Sequence, residues 1–505
     1  MKIFIIAIFI SLTTTNTFAR RIINVKDFGA TGDGITDDTR SIQNAIDAAS
    51  SNSLTTVYFP AGIYNIASYT TTTNFLENYC LKLHSNLSFT GDGDISIIKL
   101  ADHIFDKKDT AANAHIFYGS KVKNISFSNL MIDMNGGNNL VPPNVIKNHS
   151  AIFTSLGENY HIYNLTIKNC SGTNMLNIMS RGKNLIIENC RFINGGNYVG
   201  ILQPNNNQVD FSFIESEWDS TIVRNNIIQQ QNTNIALDNY SGGIELHGSS
   251  SSASDNTIEG CWPAIYITSS GSDLKNVAIV NNTILNCVTG ISFWVETPIS
   301  NILIINNRIQ LTHSRSKKLN LCAGIIVPNG NAREYNNRLA NAAPISNLQI
   351  KGNIFEADSM SNLSAAMVLH SLQRSSIENN TITGMNYGGV VLLGSKWGID
   401  SLVVKNNTFK DFMPNNDEHA VAGYVVITDT YSPGVKDAQG YKEIEFSGNK
   451  FLRSHENILR QSMEKAKGTF LGAFVALPSK MIGEIRFENN QFSDTSEIIR
   501  KIKTD

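Results

Sequence analysis

The sequence has few cysteines and no excess of charge of either sign, and each absence excludes a class of protein. Its six cysteines are scattered over 505 residues and none stands in a Cys-x-x-Cys pair. A small disulfide framework and a structural zinc site are therefore excluded, and we expect neither a metal ion nor a cofactor. The 41 basic and 43 acidic side chains give a formal net charge of −2, which is not the balance of a nucleic-acid-binding protein.

Long apolar runs are also missing, apart from one at the N-terminus. Ile3–Leu12 follows Lys2 and precedes the small-residue stretch that ends at Ala19. Ten apolar residues fall short of the roughly 20 that a membrane-spanning helix needs, whereas this order is typical of a secretory signal peptide. We predict cleavage after Ala19, export of residues 20–505 to the periplasm or the medium, and no membrane span.

A short sequence motif recurs along the chain: a β-branched run, a polar residue, two asparagines, then one polar and one apolar residue. It reads SIENNTI at 376–382, LVVKNNTF at 402–409 and IRFENNQF at 485–492. The closest repeats of its second asparagine lie 25 to 27 residues apart. Taken as a register mark, this position gives the series Asn226, Asn256, Asn282, Asn307, Asn353, Asn380, Asn407, Asn449 and Asn490.

Short strands at this spacing without helices between them cannot form a doubly wound sheet, because each parallel crossover there needs a helix. A coil that climbs one strand spacing, about 4.8 Å, per turn satisfies the pattern. We therefore predict an all-β fold, a single-stranded right-handed parallel β-helix with coils from about residue 57 to 492. We expect the marked asparagines to bond to their equivalents in the coils above and below.

Four cysteines follow the same spacing. Cys170 and Cys190 occupy the marked position in two upstream coils, and Cys261 and Cys287 each lie five residues after a marked asparagine. We expect each pair to be stacked in neighbouring coils, where the separation suits a disulfide and an exported protein permits one. Stacked free thiols fit the spacing equally well.

The segment before the first coils carries a helical pattern. Ile42, Ala45, Ile46 and Ala49 recur at helical spacing after the acidic pair at 37–38. An amphipathic helix opened by one of these aspartates would cover the open end of the first coil. We predict an N-terminal cap within residues 23–56.

Four short motifs stand in and after the same segment: Asp27-Phe28-Gly29-Ala30, Gly32-Asp33-Gly34, Thr36-Asp37-Asp38 and Pro60-Ala61-Gly62-x-Tyr64. Together they resemble the N-terminal signature of the pectate-lyase-like superfamily, which includes polygalacturonases, rhamnogalacturonases, epimerase-like proteins and phage tailspike depolymerases. The resemblance implies the pectin lyase fold and a polysaccharide substrate. The Asn-Thr-Asp, Asp-Asp, Gly-His-Gly and Arg-Ile-Lys motifs of the polygalacturonase branch do not stand in the middle of this chain, so those catalytic residues are not transferred.

Three coil-opening strands, at 243–247, 264–268 and 290–294, alternate apolar and other residues. Alternation places Ile244, Leu246, Ile265, Ile267, Ile291 and Phe293 inside. The outward column then holds Glu245 with His247, Tyr266 with Thr268, and Ser292 with Trp294. A carboxylate, an imidazole and aromatic faces are what a sugar-binding groove requires.

Three long insertions, at 203–219, 229–240 and 311–322, add further candidates, since long loops on a rigid scaffold commonly carry function. Our candidate catalytic residues are Glu245, Asp219, Glu217, Asp238 and His247. Our candidate substrate-binding residues are Trp218, Tyr266, Trp294, Arg315 and Lys317.

Three functions fit this inventory. A glycoside hydrolase needs two carboxyl groups, and acidic residues cluster around Glu245, so we favour it. A polysaccharide lyase acting on a uronate needs cations and a base, for which His247, Tyr266, Arg315 and Lys317 are candidates. A non-catalytic carbohydrate-binding β-helix is the third, and in each case a homo-oligomer could add residues from a neighbouring chain.

Overall fold

The computed structural model describes most of the chain after the predicted signal peptide. Asp238, Arg315 and Lys317 lie outside the described residues, as do residues 1–20. The described ranges are 21–49, 53–74, 77–104, 111–112, 114–139, 146–147, 149–195, 212–231, 241–312, 321–327, 343–357, 363–412, 423–428, 440–452, 474–477, 481–493 and 499–501.

Two long parallel sheets dominate the described residues. Each strand pairs with the strand one coil further along the chain, as in the predicted β-helix. The larger sheet, here the first sheet, has 29 described strands, and the second sheet has 14. The parallel pair Ala111–Ala112 and Ile146–Lys147 stands apart from both.

The strands of the second sheet are Tyr79–Lys82, His115–Ser120, Ile152–Ser155, Leu176–Met179, Ser212–Ser216, Gly242–Leu246, Ile265–Thr268, Thr289–Trp294, Leu321–Ile326, Leu363–Leu369, Gly388–Leu393, Gly423–Thr428, Phe474–Leu477 and Ile499–Lys501. Those of the first sheet are Arg21–Asn24, Asp33–Asp37, Thr55–Phe59, Gly62–Ile66, Leu87–Gly91, Ser96–Leu100, Lys123–Asp133, Glu158–Lys168, Lys183–Glu188, Arg191–Ile193, Asp219–Arg224, Ile227–Gln229, Ser252–Ser254, Thr257–Glu259, Leu274–Val280, Thr283–Cys287, Ile299–Ile305, Arg308–Leu311, Ile345–Lys351, Ile354–Ala357, Leu372–Gln373, Ser375–Glu378, Thr381–Thr383, Ile399–Lys405, Thr408–Lys410, Tyr441–Ser447, Lys450–Leu452, Met481–Glu488 and Gln491–Phe492.

A continuous hydrophobic core fills the inside of the stack. The predicted inward residues of the three coil-opening strands are all fully buried there. Along the second sheet, one inward column runs through Ile214, Ile244, Ile265, Ile291, Ile325, Met367, Val390 and Val425. Each such side chain contributes roughly 1.5–3 kcal/mol through burial, so the column fixes the register of the outward positions beside it.

The asparagine series forms the predicted ladder. Asn256 Nδ2 donates to Asn282 Oδ1 at 3.0 Å, and Asn282 Nδ2 donates to Asn307 Oδ1 at 2.9 Å. The same bond links every consecutive pair from Asn226 to Asn490. The residue before each rung has a positive φ, for example 55° at Asn281, which asparagine and glycine tolerate better than other residues. The repeated motif therefore marks one corner of the coil.

The stacking of Cys261 on Cys287 is confirmed, since the backbone N–H of Cys261 donates to Cys287 Sγ at 3.4 Å. The pairing of Cys170 with Cys190 is wrong. Cys190 stands in the ladder, where its N–H donates to Asn226 Oδ1, but its neighbour in the preceding coil is Leu165. Cys170 lies at the next corner of its coil. It follows Asn169, whose positive φ favours asparagine as it does at the ladder corners.

The predicted cap is the helix Thr39–Ala48, whose Ile42, Ala45 and Ile46 are fully buried. Asp38 stands at its N-cap, yet the Asp38 carboxylate accepts hydrogen bonds from the N–H groups of residues 31 and 32 instead. Asp37 Oδ1 accepts from Thr39 N at 3.0 Å. The acidic pair thus joins the preceding turn to the first turn of the helix. Short 3₁₀ helices cover Val25–Phe28, Gly93–Ile95 and Gly136–Asn138.

None of the helices in the described part of the chain has the length and apolar character needed to cross a membrane.

Candidate functional site

One outward column of the second sheet carries the candidate site. Register pairs align Glu215 with Glu245, Glu245 with Tyr266, and Tyr266 with Ser292. Glu245 stands between Ile244 and Leu246, which both face the core, so its side chain lies on the outer face of the coil as predicted. Thr268 pairs with Trp294 in the same two coils.

Glu215, Glu245 and His247 form a compact cluster on this face. His247 Nε2 lies 2.9 Å from Glu245 Oε1 and 3.8 Å from Glu215 Oε1. One side-chain oxygen of each glutamate and one ring nitrogen of the histidine all lie within 4.8 Å of one another. Adjacent strands bring the two carboxylates together, and the strand Gly242–Leu246 leads directly into His247.

Hydrogen bonds from the surrounding strands hold the cluster in place. Ser212 Oγ donates to Glu245 Oε2 at 2.8 Å, and Asn174 Nδ2 donates to Glu215 Oε2. The Oδ1 atom of Asn174 in turn accepts from Ser212 N at 2.7 Å. Ser270 Oγ lies 3.3 Å from His247 Nδ1. Both carboxylates therefore have fixed orientations, as acid/base groups require.

Both glutamates are shielded from solvent, and this is where the site differs from the open groove we expected. Glu215 is 6% exposed and Glu245 is 3% exposed, so two like charges would lie together in a region of low dielectric. A divalent cation bound between them would offset that repulsion, because two carboxylate oxygens and an imidazole nitrogen are suitable ligands.

Two aromatic side chains lie on the coils that follow Glu245. Tyr266 is the register partner of Glu245, and Trp294 is that of Thr268 one coil further on. The ring of Tyr266 meets that of Trp294 edge to face, with centroids 6.4 Å apart. Trp294 is half-buried, and its Nε1–H donates to Glu296 Oε1 at 2.8 Å.

Three other predicted site residues lie elsewhere. Trp218 is fully buried in the core, where it packs against Tyr160 and donates to a backbone carbonyl, so it cannot bind substrate. Asp219 belongs to the first sheet, and its Oδ1 accepts from Ser249 N. Glu217 accepts from Ser180 N in the preceding coil and is not part of the cluster.

Glu215 takes the place that we assigned to one of those acids. Sequence reasoning put it in a loop insertion, whereas it is the fourth residue of the five-residue strand Ser212–Ser216. The signal was present, since Phe213-Ile214-Glu215 has the same alternation as Gly243-Ile244-Glu245. Long polar flanks and the absence of a marked asparagine before it concealed the strand.

Comparison with known proteins adds a family to this geometry. A model of the family described as rhamnogalacturonase A/epimerase, pectate lyase-like matches residues 22–292, just over half of the chain. The protein belongs to this family. A model of the right-handed β-helix region also matches, over residues 242–456, in agreement with the predicted fold and with the N-terminal resemblance.

The names of two similar proteins describe different functions. Mannuronan C5-epimerase AlgE2 of Azotobacter vinelandii is 40% identical over 116 residues, which are 23% of this chain and 11% of the epimerase. Plasmin and fibronectin-binding protein A of Streptococcus pneumoniae is 31% identical over 187 residues, or 35% of this chain and 24% of that protein. The matches thus span a tenth to a quarter of these relatives.

A solved structure matches almost the whole chain. A mutant tailspike protein of E. coli bacteriophage HK620, in complex with a pentasaccharide, superposes with a TM-score of 0.60 at 16% identity. The match covers 93% of this chain and 78% of the tailspike chain. At that identity it establishes a shared β-helix architecture.

Proposed function

We propose that the protein is an exported enzyme that cleaves glycosidic bonds in a polysaccharide, with Glu215 and Glu245 as its catalytic carboxyl groups. The observation that carries this proposal is the pairing of two shielded carboxylates on adjacent rigid strands. Glycoside hydrolysis needs two such groups, one to protonate the leaving oxygen and one to act as nucleophile or base.

The hydrogen bonds suggest which group does what. Glu245 bonds to Ser212 Oγ through one oxygen and lies 2.9 Å from His247 Nε2 through the other, so both of its oxygens are held in place, as a nucleophile requires. Glu215 Oε1 lies farther from His247 Nε2, at 3.8 Å, which leaves Glu215 the role of the general acid. We assign Glu245 as nucleophile and Glu215 as general acid.

The spacing favours a retaining mechanism. Oxygens of the two carboxylates lie within 4.8 Å, closer to the separation of about 5–5.5 Å in retaining enzymes than to that of about 6.5–9.5 Å in inverting ones. Glu245 would bond to the anomeric carbon as Glu215 protonates the departing sugar oxygen. Water, deprotonated by Glu215, would then release the second product and regenerate both groups.

A second candidate is chemistry at C5 of a uronate, and the similarity to a mannuronan C5-epimerase favours it. There, His247 would remove the C5 proton, and a second acid would then donate a proton either to C5 from the other face, which inverts it, or to the departing glycosidic oxygen in an elimination. The acidic pair argues against this candidate, because two carboxylates repel an anionic sugar unless a cation lies between them.

One experiment separates these functions and a purely binding role. Purified protein is incubated with a panel of neutral and uronate-containing polysaccharides, and three products are measured: new reducing ends, absorbance from unsaturated uronate, and inverted C5 configuration by NMR. Reducing ends without unsaturation support hydrolysis. Either of the other products, or binding without any product, contradicts it.

A further inference from the structure

A cavity of about 450 Å³ lies between the cap helix and the first coils of the second sheet. The helix Thr39–Ala48 forms one wall, residues 68–70 form the second, and the strand Tyr79–Lys82 forms the third. We call it the cap cavity. Nothing in the proposed chemistry uses it.

Several contacts hold the three walls together. Gln43 Oε1 accepts from Lys82 N at 2.8 Å, and Gln43 Nε2 donates to Lys82 O at 3.2 Å. Thr70 and Tyr79 exchange two backbone hydrogen bonds, of 2.7 and 3.1 Å. Thr39 Oγ1 accepts from the backbone of residue 67 at 3.1 Å. The cap cavity is therefore preformed, as small-molecule sites usually are.

The charges that line the cavity point to an anionic ligand. Arg40 and Lys82 are both exposed at its walls, and among the described residues neither forms an ion pair with a carboxylate. Lys82 Nζ lies 5.9 Å from the ring centroid of Tyr79, and that ring is stacked on Tyr118. Asp47 is the one acidic lining residue, and its Oδ1 is bonded to Gln43 Nε2. Two cations without a carboxylate partner in the described part of the chain suit a sugar that bears a carboxylate or a sulfate.

The cavity is aligned with the carboxylate pair. Lys82 pairs in register with Tyr118, Tyr118 with Phe153, Phe153 with Asn177, and Asn177 with Glu215. The cavity wall and the carboxylates thus belong to one outward column, four strand spacings of about 4.8 Å apart. A glycan that contacts both places has to span this distance.

We propose that the cap cavity is a second glycan-binding subsite, which takes an anionic sugar unit of the same polysaccharide that is cleaved at Glu215 and Glu245. This proposal rests on the proposed function for the identity of its ligand. Its consequence is a length dependence: long acidic oligosaccharides contact both places, whereas short ones reach only one. The subsite would also place the acidic units of the polymer away from the acidic pair.

The test uses the full-length mature chain carrying Glu245→Gln, so that no substrate is consumed. Binding is measured by calorimetry for size-defined oligomannuronates and oligogalacturonates, for sulfated oligosaccharides and for neutral cello-oligosaccharides. One double variant combines Arg40→Gln and Lys82→Gln. Its control combines Lys410→Gln and Lys450→Gln, which removes the same charge from exposed positions on the first sheet. The first pair should weaken binding of long acidic chains by about tenfold or more, with no change for neutral ones.

The two kinds of acidic oligosaccharide identify the anionic group that binds. Tighter binding of uronates indicates a carboxylate, and tighter binding of sulfated chains indicates a sulfate. Equal binding by the two double variants at every chain length would overturn the subsite. Failure of the catalytic proposal looks different. In that case Arg40 and Lys82 still govern binding of long acidic chains, but the protein with intact Glu245 forms no new reducing ends.

Discussion

Glu215 and Glu245 are direct register partners on adjacent parallel strands, although 30 residues separate them in the chain. Parallel in-register pairing puts the two side chains side by side, so both carboxyl groups lie together on one face of the sheet. Hydrogen bonds from Asn174 and Ser212 hold them there.

Glu245→Gln should abolish most turnover and leave the fold intact. The amide keeps the shape of the side chain and can still bond to Ser212, but it cannot act as a nucleophile. Turnover should fall by at least about a hundredfold, the usual scale for a lost acid/base group. The matched control is Glu217→Gln, which changes a neighbouring acid outside the cluster and should retain wild-type turnover. Equal turnover in the two variants contradicts the assignment.

Glu215→Gln tests the acid role by its dependence on the leaving group. An aryl glycoside with an acidic phenol departs without protonation, so this variant should lose far less activity on it than on the polysaccharide. Glu245→Gln should lose activity on both substrates. If both variants respond alike to the leaving group, the two roles are not divided as proposed.

Asn282→Ala should destabilise the stack. Its side chain donates to the carbonyl of Ala253 and to Asn307 Oδ1, and accepts from the backbone and side chain of Asn256. Removing it leaves buried polar groups without partners, which should cost about 2–4 kcal/mol in the free energy of unfolding. Asn281→Gly is the control, because glycine keeps the positive φ of the adjacent corner. Chemical denaturation that shows no difference between the two would argue against the ladder as a source of stability.

His370 should make the protein sensitive to acid. It is completely buried, and burial lowers the pKa of its imidazole from the ordinary 6.5 to about 3. Above pH 6.5 the ring is neutral in both states and contributes nothing to the pH dependence. As pH falls from 6.5 towards 3, the unfolded chain binds a proton that the folded protein does not, so stability decreases.

The measurement is the free energy of unfolding against pH. His370→Gln should flatten the slope by one proton between about pH 6.5 and 3. His161, which is half-buried on the first sheet, is changed to Gln in a parallel variant and serves as the comparison. An unchanged slope in His370→Gln would mean that the buried ring takes up its proton in the folded state as well.

All six cysteines should be free and unreactive in the folded protein, since each is buried as a thiol. Burial raises the pKa of the Cys287 thiol to about 12, and the thiolate is the reactive form. Iodoacetamide should label none of them in the native state and six after unfolding without a reductant. Four labelled after unfolding would indicate one disulfide, with Cys261 and Cys287 the stacked pair to examine first.

The architecture was predictable because it repeats. The register of Cys170 was predicted wrongly, but this did not affect the predicted fold. Eight consecutive hydrogen bonds between asparagines specify the same register. Glu245, Tyr266 and Trp294 were placed correctly for the same reason, because their strands carry clear alternation.

The second carboxylate was not predictable in the same way. Glu215 pairs with Glu245 across an insertion, and sequence proximity favoured Glu217, Trp218 and Asp219. The chain turns from the second sheet to the first between Ser216 and Asp219, so a shift of two to four residues moves a side chain from the outer face to the core or to the other sheet. The cap cavity is formed by three segments that meet only after folding. No local sequence pattern therefore predicts it.

Successive rungs of the asparagine ladder are equally spaced along the stack, yet Asn282 and Asn307 are 25 residues apart in the chain and Asn307 and Asn353 are 46. The chain between two rungs can therefore nearly double in length while the rungs themselves keep their pitch. Evolution or an engineer can accordingly lengthen or replace the chain between two rungs without re-optimising the scaffold that aligns Glu215 with Glu245.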